Sequence, residues 1–156
     1  MRRAIAVHRR GAWPDPAATD TVTLASVDRH RRRIRLVTDR GESFLLELPR
    51  AAHLADGDGL ELEGGGFVRV QAAAEPVYEI EAETPAALVR IAWHLGNRHL
   101  PVQVVGDRLR IRADRVVAEM VGGLGGRLIS LEAPFDPEIG AYAVGEHRHR
   151  DDDPKP

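Results

Sequence analysis

The chain has 156 residues, of which 43% are apolar and 29% charged, with 22 basic against 24 acidic groups and no cysteine. Without cysteine there is no disulfide, thiolate ligand or thiol nucleophile, so any metal must be held by imidazole, carboxylate or backbone oxygen. A formal net charge of −2 offers no whole-chain attraction to nucleic acid or an anionic membrane, and no apolar run approaches the ~20 residues that span a bilayer.

The opening stretch "MRRAIAVHRRGAWPDP" follows its two arginines with a short apolar run and then more charge, so it does not read as a secretory signal. The expected location is the cytoplasm, with no nucleic-acid and no membrane partner. Short strands are expected at 21–27 (TVTLASV), 33–39 (RIRLVTD), 43–49 (SFLLELP), 60–63 (LELE) and 67–72 (FVRVQA), where β-branched or alternating apolar residues dominate. Turns fall between them at "DRG" (39–41), "DGDG" (56–59) and "GGG" (64–66), and "AAHLA" (51–55) reads as a single helical turn. The basic run "DRHRRRIR" (28–35) reads as a solvated strand edge or a docking face for another protein. His8, His30 and His53 read as isolated surface residues.

From residue 75 the rhythm changes. "PVYEIEAE" (76–83) alternates as a strand, with Val77, Glu79 and Glu81 on one side and Tyr78, Ile80 and Ala82 on the other. In "TPAALVRIAWHLGN" (84–97), Thr84 suits an N-cap and Pro85 the first helical position, while Leu88, Ile91, Ala92 and Leu95 recur at helical spacing. Pro101 stops the helix, and "VQVV" (102–105) and "RLRIR" (108–112) form a hairpin around Gly106-Asp107. Asp114 caps a second helix (115–124) with Val116, Met120 and Leu124 as its expected apolar stripe, and "GG" (125–126) ends it. "RLISLEAPF" (127–135) is the last strand.

The expected fold is therefore α+β. A small all-β domain (1–74) precedes a ferredoxin-like βαββαβ domain (75–142), and a tail (143–156) follows. Charge divides the same way: residues 1–74 carry 12 basic and 10 acidic groups (+2), and 75–156 carry 10 and 14 (−4). The end of the chain, "EHRHRDDDPKP" (146–156), contains no apolar residue and is expected to be a flexible tail.

Chemistry concentrates on histidine. His147 and His149 form an H-x-H pair among carboxylates in that tail, which fits either a cation-wrapping tract or a solvated, charged end. His94 and His99 lie five residues apart, so on a helix their side chains diverge by about 140° and do not meet on one ion. His94, between Trp93 and Leu95, is expected to pack or hydrogen-bond inside the domain. His99 follows Gly96-Asn97, where the helix is ending and exposure is expected. As a metal ligand His99 needs partners from elsewhere. A two-fold dimer would supply one, because an isologous contact brings the same residue of both subunits to the axis.

The stretch "WHLGNRHLPVQV" (93–104) resembles the "HLGNRH" signature of the UreE family, the urease accessory proteins that carry nickel. The resemblance runs over nearly the whole chain. "LPRAAHLADGDGLELE" is similar to the family's N-terminal domain, and "RVVAEMVGGLG", "PFDPEIGAYA" and the histidine-bearing tail are similar to its later segments. It implies a non-enzymatic homodimer with Ni(II) as cargo, or Cu(II) or Zn(II) in its place, bound at the interface by His99 of both subunits. His147 and His149 complete the coordination in that picture. It also implies partners in the urease accessory GTPase and the urease apoprotein complex. Two departures stand out. Ala113-Asp114-Arg115 occupies the place where some members carry an extra histidine pair, and the tail is short beside the polyhistidine tails of some relatives.

Two other classes compete with a carrier. A metal-dependent hydrolase built on His99 and tail carboxylates would want three fixed ligands and a positioned acid or base. A protein-interaction module of the same fold would carry its histidines incidentally.

Overall fold

The computed structural model describes residues 1–139, so His147, His149 and the tail lie outside the described residues. The first half forms a six-stranded sheet from β1 (Arg2–His8), β2 (Ala18–Leu24), β3 (His30–Val37), β4 (Ser43–His53), β5 (Gly59–Leu62) and β6 (Phe67–Ala72). Their order across the sheet is β2-β6-β5-β1-β4-β3, with β1–β4 and β2–β6 parallel and the other neighbours antiparallel. Alternate residues point inward, as a sheet with one buried face requires. Ala4, Val22, Leu36, Phe44, Leu46, Leu60, Leu62, Val68 and Val70 close the core.

The second half is β7 (Ala74–Glu81), α1 (Pro85–Asn97), β8 (Gln103–Val105), β9 (Arg108–Arg112), α2 (Arg115–Gly123) and β10 (Arg127–Pro134). Its sheet runs β10-β7-β9-β8, antiparallel throughout, which is the ferredoxin-like arrangement expected from the βαββαβ order. Both caps form as the sequence suggests. The Ala87 amide donates to Thr84 Oγ1 at 3.1 Å and the Val117 amide to Asp114 Oδ1 at 3.0 Å. Ile80, Ile91, Leu95, Leu109, Ile111, Val117 and Val121 make the core between helices and sheet, joined by Tyr78 and Ala82. Val77 faces the opposite side with Ala133 and Phe135. Among the described residues no helix is long and apolar enough to cross a membrane.

Four local expectations need correction. No strand was expected at the start of the chain, yet β1 lies in the middle of the first sheet between β5 and β4. Its pattern is obscured because Arg2 and Arg3 point outward, where Arg3 pairs with Glu63 at 2.7 Å and Glu47 at 3.1 Å. The "AAHLA" segment is not a helical turn. Residues 51–53 prolong β4, which pairs with β3 again beyond a bulge that places Leu48–Ala51 opposite Arg32. The bulge accommodates Pro49, which has no amide to give a ladder. The apolar stripe of α2 is as expected only in part: Met120 and Leu124 pack against the core, but its buried centre is Val117 and Val121, and Val116 is 67% exposed. Finally, the basic run 28–35 is not uniformly solvated. Arg33 and Arg35 do sit on the exposed edge, but Arg29 is fully buried.

Arg29 joins the two halves. Its guanidinium donates to Leu54 O at 3.1 Å, to Asp136 Oδ1 at 3.0 Å and to the Phe135 carbonyl. Beside it, the Ser26 amide and hydroxyl donate to the Glu75 carboxylate at 2.9 and 2.8 Å. Burial opposes the charge on Asp136, but the neighbouring His53 and Arg29 outweigh it and hold the carboxyl below its usual range. Removing one partner of a buried ion pair typically costs 3–5 kcal/mol. Asp136 is partly solvated, so Arg29→Met is expected to lower stability by about 3 kcal/mol, the low end of that range, read as a drop in the urea midpoint. The depressed carboxyl also fixes the acid limb. Its contribution is complete above the unfolded value of about 3.9 and is lost as pH falls through the lower folded value. Asp136→Asn is expected to flatten the stability–pH curve in that window, measured by denaturation at successive pH values.

Candidate metal centre

The end of α1 determines how His99 is presented. Arg98 is the C-cap, and His99 beyond it has φ +58°, the only non-glycine positive φ among the described residues. The His99 amide donates to Gly96 O at 3.0 Å and the Leu100 amide to Leu95 O at 3.2 Å. These are the two bonds of a Schellman motif, whose left-handed position is usually glycine. Leu100 packs on the cluster that contains Leu95, supplying the apolar contact that accompanies the motif. The end of α2 is an internal control. There Gly125 has φ +87°, its amide donates to Gly122 O at 3.1 Å, and the Gly126 amide donates to Val121 O at 3.0 Å. One turn is built twice, once on glycine and once on histidine. A side chain with a Cβ costs about 1–2 kcal/mol in that conformation, so the fold tolerates strain to place an imidazole at residue 99.

The imidazole is exposed. It lies on the rim of a cleft of about 810 Å³ between the two halves, whose walls also carry His30, His53, Arg112 and Glu138. Pro137–Ile139, the last described residues, line the same cleft. The Asp136 amide donates to Gln103 Oε1 at 3.0 Å and the Glu138 amide to Val102 O at 2.7 Å, which hold this segment against β8 and the residue before it. Among the described residues no three His, Asp or Glu side chains come together to hold a cation. If His99 holds a cation it does so as a single described ligand, and its co-ligands would have to come from a second copy or from residues beyond 139.

The exposed surface of α1 carries two large apolar side chains. Val89 is 68% exposed and Trp93, one turn further along, 63%. His94 does not pack inside the domain as expected. It is half-buried and meets the exposed Trp93 ring edge-on at 5.0 Å, so it diverges from His99 on the outside of the helix. Two other histidines are not isolated surface residues. His8 Nε2 is 2.7 Å from Glu61 Oε2, and His53 is mostly buried in the cleft wall, 3.7 Å from Asp136 Oδ1. The cleft residues His30 and His53 escape sequence reading because residues 51–53 look helical. Continuing β4 through "PRAAH" is the signal that brings them opposite one another.

Comparison with known proteins gives a consistent result. The family model for the N-terminal domain of UreE urease accessory protein matches residues 2–73, and that for its C-terminal domain matches residues 75–155. The chain is 55% identical over 143 residues to the urease accessory protein UreE of Rhodopseudomonas palustris (strain HaA2), covering 92% of this chain and 66% of that protein. It is 54% identical over 149 residues to the protein of the same name in Bradyrhizobium sp. (strain ORS 278), covering 96% and 70% respectively. For that of Beijerinckia indica subsp. indica the identity is 49% over 151 residues, covering 97% and 87%. The chain therefore spans about two thirds of the length of the first two relatives and most of the third.

The helix-end geometry makes a prediction independent of any ligand. His99→Gly relieves the left-handed strain at the expense of a looser unfolded chain, so it is expected to leave stability unchanged or raise it by up to about 1 kcal/mol. His99→Val, β-branched at positive φ, is expected to lower it by at least as much. Thermal and urea denaturation of the two variants measures both.

Proposed function

The chain belongs to the UreE family of urease accessory proteins, and on that premise we propose that it is a nickel carrier serving urease maturation. Membership supports the broad role, that of an accessory protein rather than an enzyme. The finer reading is a homodimer acting in the cytoplasm, with one Ni(II) ion shared by His99 of both subunits and completed by His147 and His149. The domain of residues 75–142 binds metal and dimerises, residues 1–74 offer the docking surface for the urease accessory GTPase and apoprotein complex, and the tail (143–156) supplies exchangeable ligands.

The observation that carries this reading is the imidazole of His99 standing exposed at a left-handed helix end, where the sister helix has glycine. Val89 and Trp93 support the dimer, since a second copy laid along that face would cover two large apolar side chains. The position of residues 137–139 in the cleft supports the tail ligands. Extended chain covers up to about 3.3–3.6 Å per residue, so the step from Ile139 to His147 permits a reach of roughly 27 Å.

Two fixed imidazoles and two exchangeable ones suit a protein that must both hold and release a cation. Imidazole sites bind Cu(II) more strongly than Ni(II), so selectivity has to come from metal availability and from the receiving partner. Each ligand must be neutral to bind, so affinity is expected to fall as pH drops through the imidazole range near 6.5.

His99→Ala is expected to abolish the tight site, one ion per dimer, while the dimer stays intact. Titration calorimetry beside light scattering reads both, and unchanged nickel affinity in the variant would overturn the reading. Deleting residues 146–156 is expected to weaken binding and leave a residual site. If the shortened chain binds as tightly as the full chain, the tail histidines are not ligands.

A further inference from the structure

β3 ends the six-stranded sheet, paired with β4 on one side and with no strand on the other. Its eight residues include Arg31, Arg32, Arg33 and Arg35. Few acids are set against them. Asp28 holds Arg31 at 3.1 Å, and Glu47 divides its carboxylate between Arg33 at 3.4 Å and Arg3 at 3.1 Å. Among the described residues Arg35 meets only the Ser43 hydroxyl, at 3.3 Å, and Arg32 has no partner. The register sets Arg33, Arg35 and Val37 opposite Glu47, Leu45 and Ser43, so the three share one outward face. Successive members of that row stand about 6.8 Å apart along the strand. Val37 is 54% exposed and gives the row an apolar end.

We propose that this row is a docking surface for an acidic segment of a partner protein, taken in extended form with carboxylates at alternate positions. Alternate residues of an extended segment are also about 6.8 Å apart. Its carboxylates therefore fall in step with the guanidinium groups of Arg33 and Arg35, each a planar fork that matches a carboxylate. An apolar residue at the next alternate position meets Val37. A second copy of this chain does not suit the place, because it would set arginine against arginine. Charge along an edge also guards against chance pairing. The bulge between Arg31 and Arg33 already serves that end, and a guard does not call for an exposed valine in line with two arginines. That the partner belongs to the urease assembly rests on the docking role proposed for residues 1–74; the preference for an acidic segment does not.

The test uses the full chain, with a chelator present, and a synthetic peptide of alternating glutamate and threonine that ends in valine. A peptide of the same composition with its glutamates consecutive, and a short DNA duplex, serve as competing polyanions. Calorimetry measures affinity, and backbone-amide NMR maps the contact. The alternating peptide is expected to bind and to shift the amides of residues 31–37, with affinity falling several-fold as salt is raised. Arg33→Glu with Arg35→Glu is expected to weaken it at least about tenfold, a difference of roughly 1.4 kcal/mol. Arg33→Gln with Arg35→Gln should act in the same direction without setting a new carboxylate beside Glu47, and circular dichroism with melting temperature establishes that both variants are folded. Arg115→Glu, at a side chain 93% exposed on α2, should change nothing. The proposal is overturned if the alternating peptide does not bind, if the double reversal leaves its affinity unchanged, or if the consecutive peptide or the duplex binds as tightly. No nickel is present, so failure here leaves the carrier reading standing; that reading fails instead in the nickel titration of the chain altered at His99.

Discussion

A single buried guanidinium holds the arrangement together. Arg29 has no exposed surface, yet it spends its donors on the Leu54 carbonyl of the first domain and on Phe135 and Asp136 at the end of the second. Removing an unpaired charge from water is prohibitive, so this residue stays buried only while both halves of the chain surround it. Its contact is thus a condition on where the second domain lies. The cleft, the line of Pro137–Ile139 and the distance between His53 and Asp136 all follow from that placement. Ser26 and Glu75 repeat the bond at the junction itself, which limits rotation about one anchor.

On the open face of the second sheet, charge is arranged differently. Glu79 accepts from Arg108 at 2.8 Å and from Arg110 at 2.9 Å, and Glu81 pairs with Arg108 at 2.6 Å and Arg127 at 3.1 Å. The bonds from Arg110 and Arg108 hold the Glu79 carboxyl below its usual range. Cross-strand pairs of this kind add modest stability and mainly fix register. They keep β7 and β9 aligned, and the strand-and-helix frame that carries α1 depends on that alignment.

Much of this was readable before the structure. The periodicity switch near residue 75, the caps at Thr84 and Asp114 and the paired glycines after α2 are local signals, and local signals survive into the fold. So did the helix end at His99, because Gly96-Asn97 and Pro101 bracket it. What remained hidden was of two kinds. β1 was obscured because a bulge between Ala4 and Ala6 interrupts its alternation, and its outward arginines looked like solvated ends. Arg29 and His53 were obscured because their meaning depends on residues more than a hundred positions away in one case and on a bulge in the other. No window of sequence contains that information.

The central position of β1 has a consequence for synthesis. It leaves the ribosome ahead of its neighbours in the finished sheet, β4 and β5, and the latter ends at Leu62. At elongation rates of about 5–20 residues per second, the strand waits roughly 3–10 s for its last partner. Two of its seven residues are arginines directed away from the core, and charge on an unpaired strand is a known guard against wrong pairing. The pattern that hid this strand from sequence reading is well suited to keeping the nascent chain from associating prematurely with its neighbours.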